Sequence, residues 1–449
     1  MKQVDKDILK LSLPAIVSNI TVPMLGLCDT AISGHLGSEI YLAAIAVGSV
    51  MLNVVFWLFG FLRAGTTGLT ATAYGAGDDV GLRQVFSRAL GFAMTGGLLI
   101  IVIQIPLMKL LLLVIHAEPE VSDYVARYFL ISVWGAPAIL GVMAISGWFV
   151  GMQSTAYPMA IAIMVNVINI GLSFLFVFGL QEGFEGVAWG TLCANWIGLI
   201  IAYVCALRFR KGKKLWCPIK DIIRGGGLGK FFSVNSNLFI RSACIISVSL
   251  GVASAGARLG ALTLAVNVIV MQLFQFFSFF MDGFAFSAEA LVGKYSGGNK
   301  EEELRLTVSA LLKWTLGMAV VFTLLYSIYC VPISKVLTDQ ADVWEGITGL
   351  RVWIGLIPVV SAWAFIYDGF YVGITSTRKM MSATMISTIV FYIIAFLHYD
   401  DGGLSLGIVD NKALWTAFLC YLLLRGVILA SQWKKTLRYR FETSKSTTI

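Results

Sequence analysis

The chain has 449 residues, of which 58% are hydrophobic and 13% are charged. Soluble domains carry about 25% charged residues, so this composition excludes an ordinary soluble protein and predicts one that lies in a lipid bilayer. The formal net charge is +8. The positions of the basic residues along the chain show whether this charge indicates a nucleic-acid partner or the topology in a membrane. The seven cysteines show no CxxC or Cys/His spacing, so we expect neither structural zinc nor a disulfide framework.

Apolar runs of about 20 residues, each long enough to cross the hydrocarbon core of a bilayer, recur along the whole chain. The sequence predicts twelve membrane-spanning helices, in chain order at 9–34, 40–70, 86–114, 123–151, 157–179, 185–207, 231–255, 261–291, 305–332, 344–373, 379–398 and 411–432. One long polar connection separates the sixth helix from the seventh. We therefore predict an all-α integral membrane protein with an N-terminal six-helix bundle (1–207), a cytoplasmic linker (208–230) and a C-terminal six-helix bundle (231–449).

Lysine and arginine residues are concentrated on one side of the predicted membrane. If the N-terminus is cytoplasmic, the linker and the segment after residue 432 are cytoplasmic too, and both are rich in basic residues. The segments on the other side hold only Arg127, Arg258, Lys335 and Lys412. The positive-inside rule then predicts a multi-pass protein of the cytoplasmic (inner) membrane, with both termini in the cytoplasm. Because topology accounts for the positive charge, we expect no nucleic-acid partner.

Corresponding segments recur in the two predicted bundles. In the fourth and tenth helices a proline, Pro137 or Pro358, precedes the pattern Phe/Tyr-Val-Gly-x-x-Ser-Thr at 149–155 or 371–377. The two prolines lie 221 residues apart. This internal repeat predicts two pseudo-symmetric halves of the same topology, related by a twofold axis along the membrane normal. Transporters built from such parallel repeats bind their substrate between the halves.

The first predicted helix carries a single acidic residue, Asp29, within its apolar run. An ionisable side chain inside a membrane is costly and indicates function by default. At a rise of about 1.5 Å per residue, Asp29 falls in the outer half of the membrane, and Asn169 and Thr191 fall at a similar depth. A desolvated carboxylate can take up a proton on one side and release it on the other. We therefore predict that Asp29, with Asn169 and Thr191, couples transport to protons; alternatively, Asp29 only ties helices together by hydrogen bonds.

Several sequence elements, spread over essentially the whole chain, resemble those of the multidrug and toxic compound extrusion (MATE) transporters of the DinF-like subfamily. They are CDTAISGHLG at 28–37, FLRAGTTG at 61–68, GVAWGT at 186–191, FIR at 239–241, MDGFA at 281–285, AEALVG at 288–293 and YDG at 367–369. The resemblance implies a MATE (MOP-type) fold and cation-coupled export of amphipathic, often cationic compounds. It also implies that the halves rock between inward-open and outward-open states.

The fifth helix departs from the family's pattern. In relatives the pattern of this helix resembles Asn-x-x-Asn-x-x-Leu-Asp. This chain has Asn166 and Asn169, followed by Ser173 in place of the acid. The seventh helix also lacks an acid that some relatives carry. A hard cation such as sodium prefers charged oxygen ligands, so protons are favoured over sodium, and sodium coupling stays the alternative. We expect Asp29 to be the sole carboxylate of its site, with Asn166, Ser173 and Asn195 as nearby polar residues.

A second group of ionisable residues is predicted in the inner half of the membrane: Arg63, Arg241, Asp282, Glu289 and Asp368. Charges at that depth should be paired. The group is either a cytoplasmic gate that rearranges during rocking or a fixed salt-bridge cluster, and the sequence leaves both open. Other basic residues lie nearer helix ends, where long side chains extend to the interface: Lys313, Arg351 and Arg425.

The substrate cavity is predicted only in outline, on the eighth helix. Its candidate residues are Met271, Gln272, Gln275 and Phe279. Flexible and aromatic side chains suit promiscuous binding, although they also pack helices or face lipid. We expect a monomer in the bilayer that binds small amphipathic or cationic molecules and needs no cofactor beyond the coupling ion. No catalytic constellation is visible, so we do not expect an enzyme; a lipid-linked oligosaccharide flippase of the same superfamily is the rival function.

Overall fold

The computed structural model describes residues 3–34, 38–115, 119–224, 226–400, 403–407 and 410–446. Within these ranges a few side chains, that of Asp29 among them, are not described. The chain forms two compact units. The N-terminal unit consists of Leu13–Asn235, and the C-terminal unit consists of Met1–Ser12 together with Ser236–Ile449.

The N-terminal unit is built from helices. They are α1 (Gln3–Gly34, whose first residues up to Ser12 belong to the C-terminal unit), α2 (Glu39–Leu58), α3 (Phe61–Gly75), α4 (Asp79–Val102), α5 (Gln104–Ile115), α6 (Pro119–Ser132), α7 (Ala136–Gly151), α8 (Ala156–Phe174), α9 (Glu185–Phe209) and α10 (Ile219–Arg224). A short 3-10 turn, Val133–Gly135, joins α6 to α7, and a π-helical turn, Leu175–Gly179, ends α8. Pro137 lies in the first turn of α7, where its missing N–H leaves no helical hydrogen bond unmade.

The C-terminal unit is also helical and contains one short hairpin. Its helices are α11 (Leu228–Arg258, whose first residues up to Asn235 belong to the N-terminal unit), α12 (Ala261–Gly297), α13 (Glu301–Leu337), α14 (Ala341–Gly349), α15 (Arg351–Gly373), α16 (Thr377–Phe396) and α17 (Asn411–Ser446). Between α16 and α17 the strands β1 (Leu397–Asp400) and β2 (Gly403–Leu406) pair in antiparallel register, with Leu397 opposite Leu406. The segment between α16 and α17 therefore contains two paired strands, which the sequence did not predict.

Eleven helical segments in the described part of the chain are long and apolar enough to cross a membrane. The helix α1, with 32 residues, covers the first predicted span in addition. The prediction of an all-α membrane protein with about twelve spanning helices is therefore confirmed. Several boundaries differ. The predicted spans 40–70, 123–151 and 344–373 each contain two helices, and α17 continues to Ser446, beyond the predicted end at 432. Likewise, α4 ends at Val102 and α5 is a separate helix, whereas a single helix was predicted over 86–114. Pro106 explains the break, because it has no N–H to donate to the carbonyl of Val102.

The linker between the predicted bundles is packed against α4. The guanidinium of Arg210 donates to Asp79 Oδ1 at 2.6 Å, and the backbone N–H of Cys217 donates to Ser87 Oγ at 3.1 Å. Arg88 donates to two linker carbonyls, at 3.0 and 3.2 Å. Cys217 is buried, and this burial raises the pKa of its thiol. The described part of the linker is therefore packed into the N-terminal unit.

The internal repeat reappears in the packing within each unit. A Cβ on Gly151 of α7 would lie 2.8 Å from a backbone oxygen of α3, and a Cβ on Gly373 of α15 would lie 3.0 Å from a backbone nitrogen of α12. Small residues allow membrane helices to approach this closely. Two residues after each of these glycines the backbone turns left-handed, at Gln153 (φ 66°) and Thr375 (φ 57°). Helices α7 and α15 thus end in the same way, 222 residues apart.

Candidate functional site

A chain of polar side chains links α8 to α9 inside the N-terminal unit. The amide of Asn169 donates to Thr191 Oγ1 at 3.1 Å, and Ser173 Oγ donates to Asn169 Oδ1 at 3.3 Å. Asn169 is 2% exposed and Ser173 is fully buried. Buried polar groups must find partners within the protein, and these three residues supply them to one another. We call Asn169, Ser173 and Thr191 the α8–α9 polar cluster.

The two helices can share this cluster because α9 presents a stripe of small residues. Its buried small residues recur at intervals of four along one face: Gly186, Gly190, Ala194, Gly198, Ala202 and Ala206. A Cβ on Gly190 would lie 2.5 Å from Ser173 Oγ and 2.6 Å from the Ser173 backbone nitrogen. Side chains on α8 and α9 therefore come within hydrogen-bond reach.

Two further predicted polar residues lie beside this cluster. Asn195 Nδ2 donates to the carbonyl of Thr191, one turn away on α9, at 2.9 Å. Asn166 Nδ2 donates to the carbonyl of Thr21 on α1 at 3.3 Å. This second bond joins α8 to the helix that carries Asp29. The side chain of Asp29 lies outside the described residues, so its assignment stays a prediction.

The C-terminal unit contains a buried ionic cluster on three helices. Asp368 of α15 accepts hydrogen bonds at Oδ2 from Arg241 of α11 and, at 2.7 Å, from Arg425 of α17. Arg425 also donates to Tyr421 Oη at 3.1 Å. Asp368 and Arg425 are 5% and 4% exposed. We call Arg241, Asp368 and Arg425 the Arg–Asp–Arg cluster.

The expectation that Arg425 extends to the membrane interface is wrong. Its guanidinium points inward because Asp368 and Tyr421 bind it, and it also lies 5.9 Å from the ring centroid of Phe365. No local sequence pattern predicts this pairing, since Arg425 and Asp368 are 57 residues apart. The observed pairing compensates the cost of burying both charges.

The other residues of the predicted inner group lie on two helices. Arg63 is half-buried on α3, in the N-terminal unit. Asp282 is half-buried and Glu289 is buried on α12, in the C-terminal unit. Of the five predicted residues, Arg241 and Asp368 form an ion pair.

The predicted cavity residues all lie on α12. Gln272 is exposed, whereas Met271, Gln275 and Phe279 are half-buried. Gln275 donates to Ser278 Oγ, one turn along the same helix, at 3.0 Å. Its amide is therefore engaged locally. Among the described residues, no group of three His, Cys, Asp or Glu side chains is placed to hold a metal ion.

Comparison with known proteins agrees with this architecture. The family model named MatE matches the chain twice, at residues 14–175 and 238–397. The chain is 31% identical to the DNA damage-inducible protein F of Escherichia coli (strain K12), over 96% of this chain and 92% of that protein. It is 28% identical to the probable multidrug resistance protein NorM of Thermotoga maritima, over 86% of this chain and 83% of that protein.

Solved structures share the fold. A crystal structure of MATE in the bent conformation superposes with a TM-score of 0.84 at 17% identity, over 99% of this chain and 98% of the other. An outward-facing multidrug resistance MATE family transporter of the MOP superfamily superposes with a TM-score of 0.82 at 16% identity, over 98% and 97%. The family model covers both halves of the chain, and the E. coli relative matches nearly all of it. This protein therefore belongs to the MatE family, that of the MATE transporters.

Proposed function

We propose that this protein is a proton-coupled antiporter that exports amphipathic or cationic organic compounds by alternating access, with Asp29 as the carboxylate that exchanges a proton for substrate. Membership of the MatE family supports transport of small molecules across a membrane. Relatives named multidrug resistance proteins support a broad substrate range. The basic cytoplasmic segments support a location in the inner membrane with both termini in the cytoplasm.

The observation that carries the proposal is the α8–α9 polar cluster and its link to α1. Thr21 of α1 and Asn166 of α8 are joined by a hydrogen bond. In the predicted topology both helices run from the cytoplasm outward, and Asp29 and Ser173 each lie about two turns beyond that bond. A carboxylate at that level would have amide and hydroxyl groups nearby that can stabilise its charged form when the proton leaves.

The makeup of the cluster favours protons over sodium. Its described side chains are amides and hydroxyls, and position 173 holds a buried serine whose hydroxyl is bound to Asn169. A hard cation is held best by several oxygen ligands that include carboxylates. A proton needs a single basic oxygen, which Asp29 can supply. We therefore propose that one proton-binding carboxylate drives the cycle.

The coupling ion can be measured with purified protein in lipid vesicles. A panel of cationic dyes is assayed under a proton gradient alone and under a sodium gradient alone. We expect dye transport to follow the proton gradient and to be independent of sodium. Transport driven only by sodium would contradict the proton assignment and support the sodium-coupled alternative. Translocation of a lipid-linked oligosaccharide with no dye transport would contradict drug export and support the flippase.

A further inference from the structure

A wide groove lies within the C-terminal unit. Its volume is about 840 Å³, and residues of α13, α15 and α17 line it. Helix α15 packs against both α13 and α17 and contributes Trp363 and Tyr367 to the groove. The groove is formed by the first part of α13 and the last part of α17. In the predicted topology both of these segments lie at the cytoplasmic side of the membrane.

The floor of the groove is apolar and aromatic. Tyr367 of α15 and Trp433, Leu437 and Phe441 of α17 line it and are buried. Trp363 lines it too and is 37% exposed. Aromatic side chains of this kind are enriched where a membrane protein meets the lipid headgroups. Such a floor offers packing surface to an acyl chain.

The rim of the groove carries an excess of positive charge. On α13, Arg305 and Lys313 lie two turns apart on one face, and on α17, Lys434 and Arg438 lie one turn apart. All four of these side chains are exposed. The groove also holds Glu301 and Glu442, and Glu301 is already bound to Arg305 at 2.7 Å. Four basic groups against two acids leave the rim positive.

We propose that this groove is a binding site for an anionic phospholipid of the cytoplasmic leaflet. The headgroup phosphate would lie among Lys313, Lys434 and Arg438, and an acyl chain would lie along the aromatic floor. Basic pockets between membrane helices on the cytoplasmic side bind anionic headgroups, and the flexible stem of Lys313 lets its ammonium reach toward the interface. The inference rests on the proposed orientation of the termini and does not depend on the coupling ion.

Charge complementarity selects this occupant over others. A neutral phospholipid would leave the excess charge of the rim unmatched, and a free phosphate ion would leave the apolar floor uncovered. A second copy of this chain would present the same positive rim, and like charges brought together are unfavourable. An amphiphile with a negative head and an apolar tail matches both parts of the groove.

Native mass spectrometry of the purified full-length protein tests the proposal. The protein is incubated with phosphatidylglycerol or with phosphatidylcholine, and the bound fraction is measured over a range of lipid concentrations. The test variant is K313Q/K434Q/R438Q. We expect the wild type to prefer phosphatidylglycerol, and affinity to fall about fivefold for each basic side chain removed.

The matched control is K211Q/K213Q/K214Q, which removes three exposed lysines of the cytoplasmic linker and so changes the net charge equally. We expect it to bind phosphatidylglycerol as the wild type does. Three results would each overturn the proposal. The two variants could lose the same amount of affinity for phosphatidylglycerol, the wild type could bind both lipids equally, or inorganic phosphate could displace the lipid. A dimer of the wild type that the test variant cannot form would also overturn it.

Thermal unfolding without added lipid shows whether the test variant is folded. If the triple variant does not fold, K434Q/R438Q carries the same test, because both residues are exposed near the end of α17. Loss of phosphatidylglycerol binding supports the proposal whether or not dye transport proves proton-coupled. A failure of the lipid site is therefore distinct from a failure of the proposed function.

Discussion

Thr191 holds the α8–α9 polar cluster together through its hydroxyl. Replacing Thr191 with Val keeps the shape of the side chain but removes the acceptor for the amide of Asn169, which is buried. An amide left without a partner in this setting costs about 1 to 2 kcal/mol. We predict that T191V lowers the unfolding temperature and slows proton-driven dye transport, measured by thermal unfolding and by vesicle fluorescence.

The control for T191V is Thr95→Val on α4. Thr95 is exposed, and its hydroxyl bonds only to carbonyls of its own helix. We expect T95V to behave as the wild type in both measurements. If T191V were as active and as stable as T95V, the α8–α9 polar cluster would have no part in transport.

Some site residues could be predicted from the sequence and others could not. Asn169 and Thr191 could be paired from the sequence because span lengths and directions give their depth, and the structure brings them together. Arg425 could not, because the predicted helix ends at 432, whereas α17 continues to Ser446 and places Arg425 near its middle. Its direction is set by Asp368, a residue on another helix.

The close contact between helices α8 and α9 depends on Gly190. A methyl group there would lie 2.5 Å from Ser173 Oγ, so the helices would have to separate. Overpacking of this kind costs about 1 to 3 kcal/mol. We predict that G190A lowers the unfolding temperature and weakens transport, as read by thermal unfolding and dye uptake.

Gly171, on α8, provides the matched substitution. Apart from the backbone of its own helix, no described atom lies within 4 Å of a Cβ built there, and alanine is favoured over glycine in helices by about 0.5 to 1 kcal/mol. We expect G171A to unfold at the same temperature as the wild type or slightly above it. If G190A did the same, close packing of α8 on α9 would not be required.

The Arg–Asp–Arg cluster ties α11, α15 and α17 together. Replacing Asp368 with Asn leaves two guanidiniums without a carboxylate, and breaking a buried pair costs about 3 to 5 kcal/mol. Replacing Arg425 with Met leaves the ion pair between Arg241 and Asp368 in place. We predict that D368N lowers the unfolding temperature much more than R425M does.

The variant D368N also distinguishes a fixed salt-bridge cluster from a cytoplasmic gate, the two roles that the sequence leaves open. A fixed cluster predicts that stability falls in D368N and that transport falls only in proportion to the folded protein. A gate predicts that folded D368N loses transport while its unfolding temperature stays near that of the wild type. Because the three residues lie in one compact unit, we favour the fixed cluster.

The chain contains the same architecture in two copies. The left-handed turns at Gln153 and Thr375, and the MatE matches at 14–175 and 238–397, show the repeat in backbone and in sequence. Hydropathy predicts the helices because each must satisfy its own backbone in lipid. The break between α4 and α5, which Pro106 explains, and the pairing of β1 with β2 follow from local hydrogen bonding, which hydropathy does not register.

Topology makes a prediction for the intact cell. In a cysteine-free background, single cysteines are placed at Lys213, in the linker, and at Asp339, between α13 and α14; both positions are exposed. A maleimide that cannot cross membranes should label D339C in intact cells. It should label K213C only after the membrane is opened. The reverse pattern would contradict the proposed orientation of the termini.

Under the proposed function, Asp29 couples proton movement to export. In everted membrane vesicles with an imposed pH gradient, wild-type protein should accumulate a cationic dye. Asp29→Asn should fold normally and abolish this accumulation, while Asp339→Asn, which removes an exposed loop carboxylate, should leave it unchanged. If the Asp29→Asn protein still couples dye transport to the pH gradient, Asp29 is not the coupling residue and the proposed mechanism is wrong.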